Sequence, residues 1–174
     1  MPLIKERRVA VADPWVAVAD GEAIPADAAA IVSVARWTAD RATLLGRNAP
    51  LGVRLKPDQG PEIIADDLDR LALVAVEFPA YTDGRGYSTA RLLRERYGYA
   101  GELRAVGNVL RDQLAFMARC GFDAFEYAGR TPVEQALAAF DEISVVYQTA
   151  ADRRRAAAVE RSDRSRVFLN GTCG

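Results

Sequence analysis

The chain has 174 residues, half of them hydrophobic and about a quarter charged, with a formal net charge of −1. That is the size and make-up of one domain able to bury a core, and its balance argues against a general nucleic-acid binder. With no histidine and only two distant cysteines, Cys120 and Cys173, it lacks the parts of a Ser-His-Asp triad, a Cys-His dyad, a histidine-ligated metal site, a structural zinc or an iron–sulfur cluster.

The opening MPLIKERRVAVADPWV holds no apolar signal core, and no later run is long enough to span a membrane. The expectation is a soluble, cytoplasmic protein. Residues 1–27 read as an N-terminal extension, its short apolar pieces broken at Asp13-Pro14 and Asp20-Gly21 as in a hairpin or edge strands. A single α/β domain is expected over 28–150. Its first strand is AAIVSVARW, followed by the helix TADRATLLGR with Thr38 as N-cap. LGVRLKP is the second strand, and GPEIIADDLDRL is a helix with Pro61 at its first position. ALVAVEF reads as a strand buried on both faces, followed by the helix STARLLRERY. ELRAV precedes the helix VLRDQLAFMARC, and DAFEY precedes TPVEQALAAFDEI, which opens on a capping box with Pro132 at its first position. Five strand–helix units in succession predict a mainly parallel sheet, either open and doubly wound or an incomplete barrel. An incomplete barrel exposes sheet edges, which fits a homodimer. Gly98 and Gly121 stand where left-handed helix C-caps are wanted, with Tyr99 and Phe122 as the hydrophobic contacts beyond them. The arginine-rich stretch over 151–174 reads as helix continuation and then a disordered tail.

Ligands of open parallel sheets bind at the carboxyl ends of the strands. In chain order the predicted strands deliver Arg36 and Trp37, then Lys56 and Asp58, the loop Pro79 to Tyr87, Gly107 and Asn108 with Arg111 one turn on, and Gly129 and Arg130. The rim is richer in cations than the chain as a whole. Within it, DGRGYS (Asp83 to Ser88) is the densest segment. Gly84 and Gly86 let a ligand approach the main chain, Ser88 can cap the next helix with Tyr87 stapled onto Leu92, and Arg85 can grip an oxyanion while Asp83 orients it. The anion-binding set is Gly84, Arg85, Gly86, Ser88, Arg111 and Arg36. As architecture alone, the same residues make an Asp-Gly turn, a cap and a bracing ion pair.

A dinucleotide fingerprint is incomplete, since Thr89 holds the third glycine position and Gly107-Asn108 replaces the ribose-binding acid. No Walker pattern, redox-centre motif or metal-ligand set is present, so no cofactor is evident. Cys120 shares a helix face with Leu110, Leu114 and Met117 and reads as a buried structural thiol. Catalytic residues stay open, with Asp83 or Asp112 as candidate bases and Tyr87 as a candidate acid.

The segment LALVAVEFPAYTDGRGYSTARLLRERYGYAGELRAVGNVLRDQLAFMARCGFDAFEY resembles the bacterial domain-of-unknown-function (DUF) 934 family from about Gly52 to Tyr127. The resemblance implies an oxidoreductase label and a role in sulfite reduction, beside the sulfite reductase haemoprotein subunit. Two positions depart from the family pattern. Ala80 stands where a lysine is frequent, and Asn108 where aspartate is usual; as a helix N-cap, asparagine would serve equally. Three functions are therefore carried forward. One is an accessory protein of sulfite reduction that binds a small oxyanion at loop 83–88. The second is a small-molecule enzyme with a carboxylate base at the rim. The third is a protein–protein module docking on sulfite reductase.

Overall fold

The computed structural model describes residues 1–142 and 150–151. The expected tail beyond Ala151 and the end of the fifth predicted helix lie outside the described residues. Eight strands form one sheet: β1 (Leu3–Lys5), β2 (Arg8–Val9), β3 (Trp15–Ala17), β4 (Ala29–Ser33), β5 (Leu51–Leu55), β6 (Leu73–Phe78), β7 (Glu102–Val109) and β8 (Ala124–Tyr127). Their order is β2-β1-β8-β7-β6-β5-β4-β3. From β3 to β8 every pair is parallel, while β1 runs antiparallel to both β8 and β2.

From β3 to β8 each strand lies beside its predecessor, so the order never reverses. A doubly wound sheet needs such a reversal. Successive right-handed crossovers without one place every helix on one face and curl the sheet into part of a barrel. The degree of curl follows from the N-terminal chain. β2 and β3 are opposite edges of the sheet, yet only residues 10–14 connect them. Seven strand spacings make an arc of about 34 Å. The six Cα steps from Val9 to Trp15 reach at most about 21 Å. The sheet therefore bends through at least half a circle, with residues 10–14 as a strap between its edges.

On the convex face, Val53, Leu55, Val74, Val76, Phe78, Leu103 and Phe125 pack under the helices as the main core. These are α1 (Val34–Leu45), α2 (Arg85–Arg91), α3 (Arg111–Cys120) and the short α4 (Val133–Ala136). The crossover from β5 to β6 is a 3-10 segment, Pro61–Arg70, in place of the expected α-helix. Its three aspartates and two isoleucines are weak helix formers. The last helix also tightens to 3-10 after one turn, over Leu137–Phe140. The five regular strand–helix units thus become two α-helical crossovers, α1 and α3, a third in which α2 continues as a π-helical extension over Leu92–Arg96, and two irregular ones. Cys120 is buried in the main core beside Leu114 and Met117.

The concave face carries what the apolar pattern hid. Ile31, Leu73, Ala75 and Val106 form a small second core against Trp15. Beside it lies Arg104, 1% exposed. Asp13 of the strap takes both arms of its guanidinium, at 2.6 and 3.0 Å. Glu102 binds Arg104 at 2.7 Å and also Lys5, and Glu126 lies 3.5 Å away. Burial lowers the Arg104 pKa, but the hydrogen bonds that Arg104 donates to Asp13 and Glu102 outweigh this and hold it firmly cationic. ALVAVEF forms β6, buried on both faces as expected, with Val74, Val76 and Phe78 under the helices and Leu73 and Ala75 in the second core; within β6 only Glu77, on the concave side, is partly open and binds Arg54 at 3.1 Å.

Several helix starts differ from the sequence expectation. Ser33, extended at the end of β4, caps α1 by accepting the Arg36 N–H at 3.0 Å. Thr38 lies one turn inside and donates back to the Val34 carbonyl. α3 is capped at Leu110, whose N–H donates to Gln113 Oε1, so Asn108 lies within β7 and is no cap. α4 has Pro132 at its N-cap in extended backbone, and the Thr131 capping box does not form. The predicted C-caps are present. Gly98 and Gly121 have φ of 64° and 109°, and Tyr99 and Phe122 are buried just beyond them.

Candidate functional site

Two places at the carboxyl ends of the strands gather polar side chains. The first is loop 83–88. Asp83 Oδ1 accepts the Arg85 backbone N–H at 3.2 Å and its Nε at 3.0 Å, and Oδ2 accepts Nη2 at 2.7 Å. This turn starts α2 at Arg85, with Gly84 as N-cap. Ser88 consequently falls inside α2 and does not cap it. The Arg85 hydrogen bonds hold the Asp83 carboxyl below the ordinary carboxylate range, which suits an anchor better than a general base.

Gly86 is buried, and a Cβ there would stand 2.6 Å from Phe78 Cζ. Its missing side chain lets α2 cross Phe78 rather than opening the main chain to a ligand. Tyr87 does not staple onto Leu92. Its ring lies between Phe78 and Phe116, with centroids 5.3 and 5.0 Å away. Burial raises its ionisation above the usual phenol range, with Gln113 partly offsetting this. Gln113 also donates to the Tyr81 carbonyl at 3.0 Å, tying the loop onto α3.

The arginines expected to share an anion each hold a carboxylate of their own. Arg36 pairs with Asp40 and donates to the Glu22 carbonyl, Arg85 pairs with Asp83, and Arg111 pairs with Glu142. They stand on separate elements, α1, α2 and α3. Asp112 begins α3 beside Arg111. Trp37, expected at the rim, is buried at 1% exposure in the main core.

The second place is the mouth of the half barrel. A cavity of about 280 Å³ opens there, walled by Asp20, Ser33, Arg54, Lys56 and Glu77 over a floor that includes Ile31. Ser33, which caps α1, also donates from Oγ to Asp20 Oδ1 at 2.6 Å. Arg54 is engaged by Glu77. Lys56 is exposed, and its ammonium has no carboxylate partner among the described residues.

Lys56 was legible as a strand-end residue; Asp20, Ser33, Arg54 and Glu77 were not picked out. The signal for Arg54 and Glu77 was a lone charge inside an otherwise apolar parallel strand. Such a charge needs a concave, polar side to face.

Residues 52–158, more than half the chain, match the family model described as Bacterial protein of unknown function (DUF934). The chain belongs to that family. No curated protein matches it. In this DUF934 protein, loop 83–88, Arg54, Lys56 and Glu77 fall inside the matched region. The strap, Asp20 and Ser33 fall outside it, so the mouth is built jointly by the family region and the N-terminal segment. Among the described residues no helix is long and apolar enough to cross a membrane.

Proposed function

We propose that this DUF934 protein is a cytoplasmic accessory protein of sulfite reduction that acts by binding a small oxyanion at the mouth of its half barrel. One observation carries the choice of place. The mouth cavity presents Lys56 without a carboxylate partner among the described residues, whereas the arginines of the other candidate positions are each neutralised. The strand carboxyl ends are where α/β sheets bind ligands, and an ammonium there gives an oxyanion a charge-assisted hydrogen bond. Loop 83–88 remains the alternative place. Arg85 serves an anion only by exchanging Asp83 for it, and the two are already joined in fork geometry.

The docking module is the second reading. Phe116 and Tyr81 are 51% and 59% exposed; Phe116 packs on the Tyr87 ring, and the Tyr81 carbonyl is tied to Gln113 of α3, so the two apolar side chains support a contact with the sulfite reductase haemoprotein subunit. The carboxylate-base enzyme has less support, because Asp83 is held by Arg85.

A thermal-shift titration with sulfite, sulfate and phosphate separates these. A ligand that binds only the folded chain raises Tm by mass action. Stabilisation lost in Lys56→Met and kept in Arg85→Ala supports the mouth. The reverse pattern moves the site to the loop. No shift with any anion leaves the docking module, to be sought by co-purification with the haemoprotein subunit.

A further inference from the structure

We propose that Asp20 makes the mouth selective for oxyanions that carry a proton, such as hydrogenphosphate and hydrogensulfite, over fully deprotonated ones such as sulfate. The inference rests on the proposal that the mouth binds an oxyanion, and assigns its selectivity.

The mouth has no net positive charge. Lys56, Arg54, Asp20 and Glu77 line the same cavity, two cations and two carboxylates. Glu77 is committed, with Oε1 and Oε2 both on Arg54 at 3.1 and 3.2 Å. Asp20 is different. Its Oδ1 accepts the Ser33 hydroxyl at 2.6 Å, and Ser33 in turn accepts the Arg36 N–H at 3.0 Å. This relay starts at the first turn of α1 and anchors Oδ1. Oδ2 carries no hydrogen bond from any described residue. An ionised carboxylate oxygen can only accept a hydrogen bond.

An oxyanion held by Lys56 therefore meets Asp20 in one of two ways. If it carries an O–H, that group donates to the free Asp20 oxygen, and the hydrogen bond is charge-assisted. If it carries none, two like charges face each other with no proton between them. Hydrogenphosphate and sulfate share a tetrahedral shape and a dianionic charge, but only hydrogenphosphate keeps an O–H. A hydrogen bond to a charged group corresponds to a preference of about 10-fold to 100-fold. Because Asp20 lies outside the family-matched region, this selectivity belongs to the N-terminal segment.

The test measures apparent Kd for inorganic phosphate, sulfate and sulfite on the full chain, wild type and Asp20→Asn, by titration calorimetry at neutral pH. Asparagine keeps an acceptor for Ser33 and turns the cavity side into an N–H donor. Melting of the unliganded proteins verifies that the variant is folded. The expected result is phosphate and sulfite binding to wild type at least 10-fold tighter than sulfate, with the preference falling to near unity in Asp20→Asn. Equal binding of sulfate and phosphate by wild type overturns the selectivity while leaving an oxyanion site at the mouth. A preference unchanged in Asp20→Asn also overturns it. Binding of no oxyanion by wild type overturns both the selectivity and the site.

Discussion

Replacing Asp13 by alanine removes two hydrogen bonds from an arginine that has almost no access to water. Arg104 is 1% exposed, and Asp13 reaches it from the strap that joins the two edges of the sheet. Breaking one side of a fully buried pair costs about 3–5 kcal/mol. Two facts lower that here. The Asp13 side chain is 32% exposed, and Glu102, 7% exposed, still holds Arg104. The expected loss is therefore about 1.5–3 kcal/mol, the range for hydrogen bonds to a charged group. For a chain of this length that lowers Tm by about 4–10 °C. Thermal melting and urea unfolding measure it directly, and Trp15, packed on the second core beneath the strap, should show red-shifted fluorescence as it is released. Arg91→Ala is the control. It breaks an exposed pair with Glu95 on α2 and its extension, and should stay within about 0.5 kcal/mol of wild type. The pH dependence has a definite sign. Burial raises the Asp13 pKa, but the Arg104 hydrogen bond and charge outweigh burial and leave it below the ordinary 3.8. A depressed carboxylate stabilises the fold above its unfolded value and loses that contribution as pH falls through the folded value. The wild type should therefore lose stability below about pH 4 more steeply than Asp13→Asn. An Asp13→Ala variant that melts within the error of wild type would refute the strap as a stabilising element.

Three further substitutions test the local assignments by thermal melting. Ser33→Ala should cost about 1 kcal/mol through loss of the α1 cap, while Thr38→Ala stays near neutral; equal effects would contradict the cap assignment. Gly86→Ala should destabilise by about 1–3 kcal/mol, because its Cβ would stand 2.6 Å from Phe78 Cζ, whereas a neutral outcome would restore a ligand-access role for that glycine. Tyr127→Phe should be neutral or stabilising by up to about 1 kcal/mol, since the buried hydroxyl has no hydrogen-bond partner among the described residues; a clear loss of stability would reveal a partner for it.

The parallel succession of strands was legible because each apolar run is bounded by turn residues and followed by helical periodicity. The glycine C-caps were legible too, since Gly98 and Gly121 each precede an aromatic that needs burial. Curvature was not. It depends on the edge positions of β2 and β3, and these are tied by five residues that contain no pattern of their own. The concave face was missed for a related reason. A strand such as LVAVEF shows that both sides are buried, but not that its Glu77 pairs with Arg54 of the adjacent strand at the polar end of the concave side. DGRGYS was found as a dense segment, but its parts serve one another: Asp83 holds Arg85, Gly86 clears Phe78, and Tyr87 fills the space before Phe116. A sequence shows that charges are near each other in the chain; it does not show that they have already cancelled. Asp20 and Ser33 are 13 positions apart, so their hydrogen bond across the mouth had no local signature.

The most direct measurement is titration calorimetry of sulfite into the full chain and into Lys56→Met. An oxyanion site at the mouth predicts one sulfite bound per wild-type chain, weakening as salt is added, and at least 10-fold weaker binding in a folded Lys56→Met. Equal binding by wild type and Lys56→Met, or no heat with either, would contradict it.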